Sequence, residues 1–225
     1  MLRSQSIILN NGELVAYADY HQNNRSLFGE FSGVQCTGIC AFAIAYSLQK
    51  SISSWNKEDI HKVLNYGNNH YILSRKRFNI PENILYLSVE NVLGHVTTDT
   101  HIFYLRYAGK YYVEYQLDNQ LNLTNLVRDL STFTNHLCCC AIFMTNNFSY
   151  AIIKEGKSLF FFDSHSRNSA GFFIANGASS LRKFENINLF AAFIMRPFSE
   201  NTNYALTLID VEVLGLITEG SKIIL

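Results

Sequence analysis

Phe160-Phe161-Phe162-Asp163-Ser164-His165-Ser166-Arg167 decides how this chain is read. Three phenylalanines begin a hydrophobic strand, which then carries an acid and an imidazole two positions apart. Side chains alternate between the faces of a strand, so Asp163 and His165 point to the same side. A carboxylate placed there can hold the imidazole in one tautomer beside a nucleophile. Upstream, Gly33-Val34-Gln35-Cys36 offers that nucleophile at the opening of an apolar segment. No charged residue occurs from Cys36 to Leu48. A helix that is apolar on all sides is a buried one, which predicts a central helix whose first turn begins at Cys36.

The strand belongs to a longer pattern. Cys138 to Met144, Tyr150 to Lys154 and Leu159 to Asp163 are short apolar runs separated by Thr145-Asn146-Asn147 and Glu155-Gly156-Lys157. Both spacers read as hairpin turns, so the runs form an antiparallel meander with Asp163 and His165 at the end of its third strand. Leu14-Val15-Ala16-Tyr17 reads as a short strand. Ser53-Ser54 offers helix-capping chemistry ahead of Ile60, Val63 and Leu64 at helical spacing. That helix is expected to be interrupted near Gly67 and the region to end by Pro81. A further short helix is expected within 84–93, and Asn122 or Thr124 would cap one running through Leu126, Val127 and Leu130. Residues 101–107 and 111–117 suit strands better than helices. Residues 187–195 form a last strand or helix. The fold class is α+β, with a buried helix packed on an antiparallel sheet.

Composition narrows the function. The 225 residues are 48% hydrophobic and 16% charged, as in one globular domain spanning 1–225 with its core at about 15–195. Net charge is zero, without the basic footprint of a nucleic-acid binder. No apolar run reaches the roughly 18 residues needed to cross a bilayer, and the amino terminus does not read as a secretion signal. Five cysteines, three of them the run Cys138-Cys139-Cys140, do not read as a disulfide framework or a zinc site. A reducing intracellular compartment fits, with Cys138–Cys140 as small core residues.

At the first turn of a helix, Cys36 would feel unpaired amides and the positive end of the macrodipole, which favour the thiolate. His165 would act as base and acid, and Asp163 would orient it. The Cys36 amide is one natural oxyanion donor. Gln22 and Gln35 compete to supply a second from a side chain. Gln22 is preferred, because a residue directly before a nucleophile usually points away from its pocket. Cys40 lies one turn inside the helix and should be inert. His61 and His70 fall on a mainly polar helix face. His95, His101 and His136 lack a companion acid at useful spacing, apart from Asp99. This chemistry requires no cofactor.

Gln22 ahead of a Phe- and Gly-bearing loop, Gly33-Val34-Gln35-Cys36, and Asp163-Ser164-His165-Ser166-Arg167 followed by Gly171 resemble the viral tegument-type deubiquitinases. These are papain-like cysteine proteases at the amino end of herpesvirus large tegument proteins, with relatives outside herpesviruses. Herpesvirus members more often place proline between acid and histidine, so the form here is nearer the other relatives. The resemblance covers about residues 15–195. It implies a protease acting after the carboxyl-terminal glycine pair of ubiquitin or a ubiquitin-like protein. Cys36 would then be nucleophile, His165 base and acid, Asp163 orienter and Gln22 oxyanion donor. A glycine pair calls for a narrow cleft, with Tyr150, Phe148 or the Phe28–Phe31 loop as walls. The competing readings are a catalytically silent ubiquitin-binding module and a related thiol amide hydrolase or transglutaminase.

Overall fold

The least polar stretch of the chain, Cys36–Gln49, is a 14-residue helix buried on every side from Cys36 to Tyr46. The computed structural model describes residues 11–108, 123–198 and 202–217. In chain order its elements are β1 (Glu13–Tyr17), α1 (Arg25–Phe28), α2 (Cys36–Gln49), α3 (Lys57–Arg77), α4 (Val89–Val92), β2 (Gly94–Thr97), β3 (His101–Tyr107) and α5 (Leu123–Asn135). There follow β4 (Cys140–Thr145), β5 (Phe148–Glu155), β6 (Ser158–Arg167), β7 (Ala178–Phe184), α6 (Ile187–Met195) and β8 (Tyr204–Leu216). The strands form one sheet in the order β1-β7-β6-β5-β4-β8-β3-β2, with every pairing antiparallel. The class is α+β, as expected.

Strand alternation gives the sheet two apolar faces. Cys140, Ile142, Ala151, Ile153, Phe160 and Phe162 join α2 and α3 in one core. The residues between them, among them Ala141, Phe143, Tyr150, Ile152 and Phe161, join α5 and α6 in a second. The central strands are therefore apolar on both sides, which is why they read as continuous hydrophobic runs.

α2 and α3 cross at two glycines. A Cβ on Gly67 would stand 2.6 Å from the Ile39 Cα, and one on Gly38 would stand 2.7 Å from the Tyr71 Cβ. α3 therefore runs uninterrupted through Gly67, contrary to the expected break: the glycine serves close approach instead of ending the helix. Its cap is Asn56, not Ser53 or Ser54. Asn56 accepts from the amides of Glu58 and Asp59, and Asp59 accepts in return from the Asn56 amide. The helix expected within 84–93 shrinks to the single turn of α4.

The meander is present but longer than expected. β6 continues to Arg167, which places Asp163 and His165 inside the strand instead of at its end. Pairing with β7 breaks at this point: four steps from Asp163 to Arg167 match two from Ser180 to Ala178. Such a bulge bends a strand and re-aims its side chains. Residues 101–107 are a strand and 187–195 a helix. β7, and β8 between β4 and β3, were not anticipated. Thr124 lies within α5 and does not cap it. The strand at 111–117 and the alternative cap at Asn122 fall outside the described residues.

Candidate active site

Cys36 is the first residue of α2, and no side chain caps that end: Gln35 precedes it without a capping hydrogen bond, and the first turn holds no acid. The amides of the helix start are thus left to whatever anion lies there. Gln35 instead ties the approach loop. Its Oε1 accepts from the Val34 amide at 2.9 Å and its Nε2 donates to the Gln22 carbonyl at 3.1 Å.

Across the helix start lies the bulged part of β6. Asp163 Oδ1 accepts from His165 Nδ1 at 2.7 Å and from the His165 amide at 2.9 Å. With Nδ1 committed, Nε2 is the ring nitrogen left for Cys36, whose side chain interacts with the imidazole. The surroundings are nearly dry, with Cys36 1% and His165 5% exposed. Burial by itself would discharge the imidazolium, but Asp163 and then Cys36 overcome it and raise His165 to about 9. Burial likewise opposes the thiolate. Hydrogen bonding and charge from His165, with the hydroxyl and amide of Ser149, outweigh it and lower the Cys36 pKa. In its thiol form the sulfur lies 3.8 Å from the Asn147 carbonyl oxygen. Asp163 is held far below the usual carboxylate range: burial opposes this, and Arg167 and His165 override it.

Asn146 and Asn147 form the β4–β5 turn, both at positive φ, 48° and 63°. That backbone suits a two-residue hairpin, and it sets Phe148 against the imidazole at a ring separation of 4.7 Å. Tyr150, one of the three candidate cleft walls, is buried with its ring centroid 5.4 Å from that of His165. Within the Phe28–Phe31 loop, Phe28 is buried and Phe31 only partly so.

Gln22 is bolted to the same strand. Its amide donates to the Ser164 carbonyl at 2.9 Å, and Ser164 Oγ donates to Gln22 Oε1 at 3.0 Å. Nε2 has only a long contact, 3.5 Å, to the Gly33 carbonyl in the loop entering α2.

Sequence reasoning left two participants without a role. Thr37 Oγ1 donates to the Leu87 carbonyl at 3.0 Å and lies 2.9 Å from Ser149 Oγ, locking the start of α2 to β5. Arg167 Nε donates to Asp163 Oδ2. Arg167 was visible in the motif, four residues after Asp163, but only the bulge brings it back to the carboxylate. Cys40 is buried and its thiol is pushed well up, first by burial. His70 corrects the polar-face reading: it is buried, with Nε2 2.8 Å from the Val92 carbonyl oxygen. Cys138 and Cys140 are buried and Cys139 partly so, and all five cysteines are free. Among the described residues no single helix is long and apolar enough to cross a membrane.

A sulfur at an uncapped helix start, facing an imidazole backed by a carboxylate, has the geometry of a thiol acyl-transfer site. Residues 17–216 match the family of the herpesvirus tegument protein N-terminal conserved region, and the chain belongs to that family. Among solved structures, the fold is shared with the ubiquitin-specific protease encoded by murine cytomegalovirus tegument protein M48, determined with a ubiquitin-based suicide substrate. The two agree with a TM-score of 0.71 at 12% identity, over 92% of this chain and 89% of the other. Comparison with curated protein sequences gives no match.

Proposed function

We propose that the protein is a papain-like thiol protease that hydrolyses the peptide or isopeptide bond after the carboxyl-terminal glycines of ubiquitin. The reading rests on the enclosed Cys36–His165–Asp163 arrangement at the start of α2, in a chain of the tegument family. Near-complete enclosure of sulfur and imidazole favours a thin extended chain without side chains, as a glycine pair is.

In the first step the Cys36 thiolate attacks the carbonyl carbon of the last glycine, and the carbonyl oxygen becomes an oxyanion. The Cys36 amide and Gln22 Nε2 are the proposed donors to it. The His165 imidazolium then gives its proton to the leaving amine as the C–N bond breaks, which leaves a thioester. Neutral His165 next takes a proton from water, whose oxygen attacks the thioester. Collapse restores thiolate and imidazolium and releases the ubiquitin carboxylic acid, which loses its proton to solvent. Asp163 keeps Nδ1 protonated throughout, so that Nε2 carries the moving proton. Free cysteines fit a reducing compartment, where Cys36 would remain usable.

The test is hydrolysis of ubiquitin bearing a fluorogenic amide at its carboxyl terminus. Turnover is expected from the wild type and abolished in Cys36→Ala and His165→Ala. Tight ubiquitin binding without turnover in the wild type would leave only the silent module. Turnover of small thioesters or amides but not of the ubiquitin amide would leave a different thiol hydrolase.

A further inference from the structure

The Asp163 carboxylate divides its two oxygens. Oδ1 serves His165, and Oδ2 receives Nε of Arg167, a residue only 4% exposed. Arg167 is itself fixed on several sides. Nη2 donates to the Tyr150 hydroxyl at 3.1 Å, and Nη1 reaches the Gly171 carbonyl at 3.5 Å. The guanidinium carbon sits over the Phe173 ring, 3.3 Å from its centroid. The Tyr17 hydroxyl donates to the Arg167 carbonyl, anchoring its backbone to β1. A planar fork held at three nitrogens and one face fixes both the position and the plane of its partner, which a lysine ammonium does not do.

We propose that Arg167 is a positioning residue for the Cys36–His165 pair: it clamps Asp163 so that the carboxylate stays ionised and turned toward His165 Nδ1 in acid as well as neutral solution. This inference rests on the thiol-hydrolase reading of the site but not on ubiquitin as the substrate.

The neighbours of Asp163 leave this task to Arg167. On its own strand the other group is His165, whose charge depends on the same pair. From β5 comes Tyr150, whose hydroxyl burial keeps neutral. From α2 come Cys40, a thiol held protonated first by burial, and Cys36, which meets Asp163 through His165. From β7 comes Arg182, which acts at longer range while its own nitrogens serve the Asn11 and Ser169 carbonyls. His21 lies near His165 and burial keeps it neutral to lower pH than usual. Among the described residues, Arg167 alone combines a permanent charge with a direct hydrogen bond to the carboxylate. Without it, a buried carboxylate takes up a proton at higher pH. His165 then loses its acceptor and Cys36 its counter-ion.

The experiment measures the rate of iodoacetamide alkylation of Cys36 between pH 4 and pH 9. Peptide mass spectrometry distinguishes Cys36 from the half-buried Cys139. It is run on the wild type, Arg167→Met and Arg167→Lys, with kcat and KM for the ubiquitin amide in parallel. Arg167→Met is expected to move the acid limb of the alkylation profile up by about one pH unit or more. Arg167→Lys, which keeps the charge and loses the fork, should restore the limb while kcat stays about tenfold or more below wild type, as loosened positioning costs. A Met profile superimposable on wild type would overturn the proposal. So would a Lys variant with full kcat, which keeps the test decisive if the Met variant does not fold. A limb shift without ubiquitin turnover by any of the three proteins would support the clamp and remove the deubiquitinase reading instead.

Discussion

Asp163→Asn keeps the shape of the side chain and removes its charge, which isolates what the carboxylate does for the reacting pair. His165 stands at about 9 against an ordinary 6.5, although burial pulls the other way. At about 1.4 kcal/mol for each tenfold change in acidity, that rise favours the imidazolium by about 3 kcal/mol. Asp163 is the larger of its two sources, with Cys36 the other. With the charge gone, burial prevails: the imidazole loses its proton near neutrality and the Cys36 proton is no longer drawn off. Thiolate at pH 7, and with it Cys36 alkylation and kcat/KM, should fall about a hundredfold, the equivalent of that free energy. The variant also leaves the Arg167 cation buried without its partner, at a cost of about 3–5 kcal/mol in stability. Thermal unfolding must therefore be measured alongside, so that activity is compared below the melting transition. A folded Asp163→Asn protein whose Cys36 alkylates at the wild-type rate, with an unshifted pH profile, would refute the reasoning.

Gln22→Ala should lower kcat by roughly a hundredfold or more with a smaller effect on KM, as loss of an oxyanion donor does; unaltered turnover of the ubiquitin amide would remove Gln22 from the site. Cys40→Ala should retain turnover of the wild-type order, because that sulfur is enclosed in the core, and complete loss would mean that the wrong sulfur has been assigned. Gly67→Ala places a Cβ 2.6 Å from a backbone atom of α2. Overpacking of about 1–3 kcal/mol, less about 1 kcal/mol gained in helix propensity, predicts a net loss of up to about 2 kcal/mol, read from urea unfolding. His70, burdened by burial and only partly relieved by its Val92 hydrogen bond, has its pKa lowered from 6.5 to about 4. The unfolded chain therefore binds the extra proton as pH falls through that interval. Stability should drop by up to about 3 kcal/mol between pH 6.5 and pH 4, and a His70→Gln variant should lose that part of the slope. His165, raised instead of lowered, is protonated in both states below pH 6.5 and adds its own loss as pH rises from 6.5 to about 9.

The parts of the fold legible in the sequence were those where one physical signal acts alone. Cys36 to Tyr46 carries no charge and leaves no polar face, and it is buried on every side in α2. The meander was readable because its central strands are covered on both faces and interrupted by turn residues. β8 was not, because Asp210 and Glu212 break its apolar pattern where it runs out beside β3. Gly67 sent the wrong signal because a glycine in a helix weakens it locally, and its reason for being there is a helix far away in sequence. His70 misled for the same cause: its face of α3 looks polar along the chain, yet α4 and the Val92 carbonyl cover it. Within the site, Asp163 and His165 met as alternation predicted. The clamp by Arg167 depends on a bulge that no periodicity announces.

The central claim is that the Cys36 sulfur works against the His165 imidazole on the carboxyl end of ubiquitin. Its most direct test is incubation of the wild-type protein with ubiquitin carrying a carboxyl-terminal electrophile, followed by intact mass and peptide mapping of the adduct. One ubiquitin is predicted to be bound per chain through Cys36, with capture lost in Cys36→Ala and strongly slowed in His165→Ala. An adduct on any other cysteine, or equal capture with His165 replaced, would contradict the account.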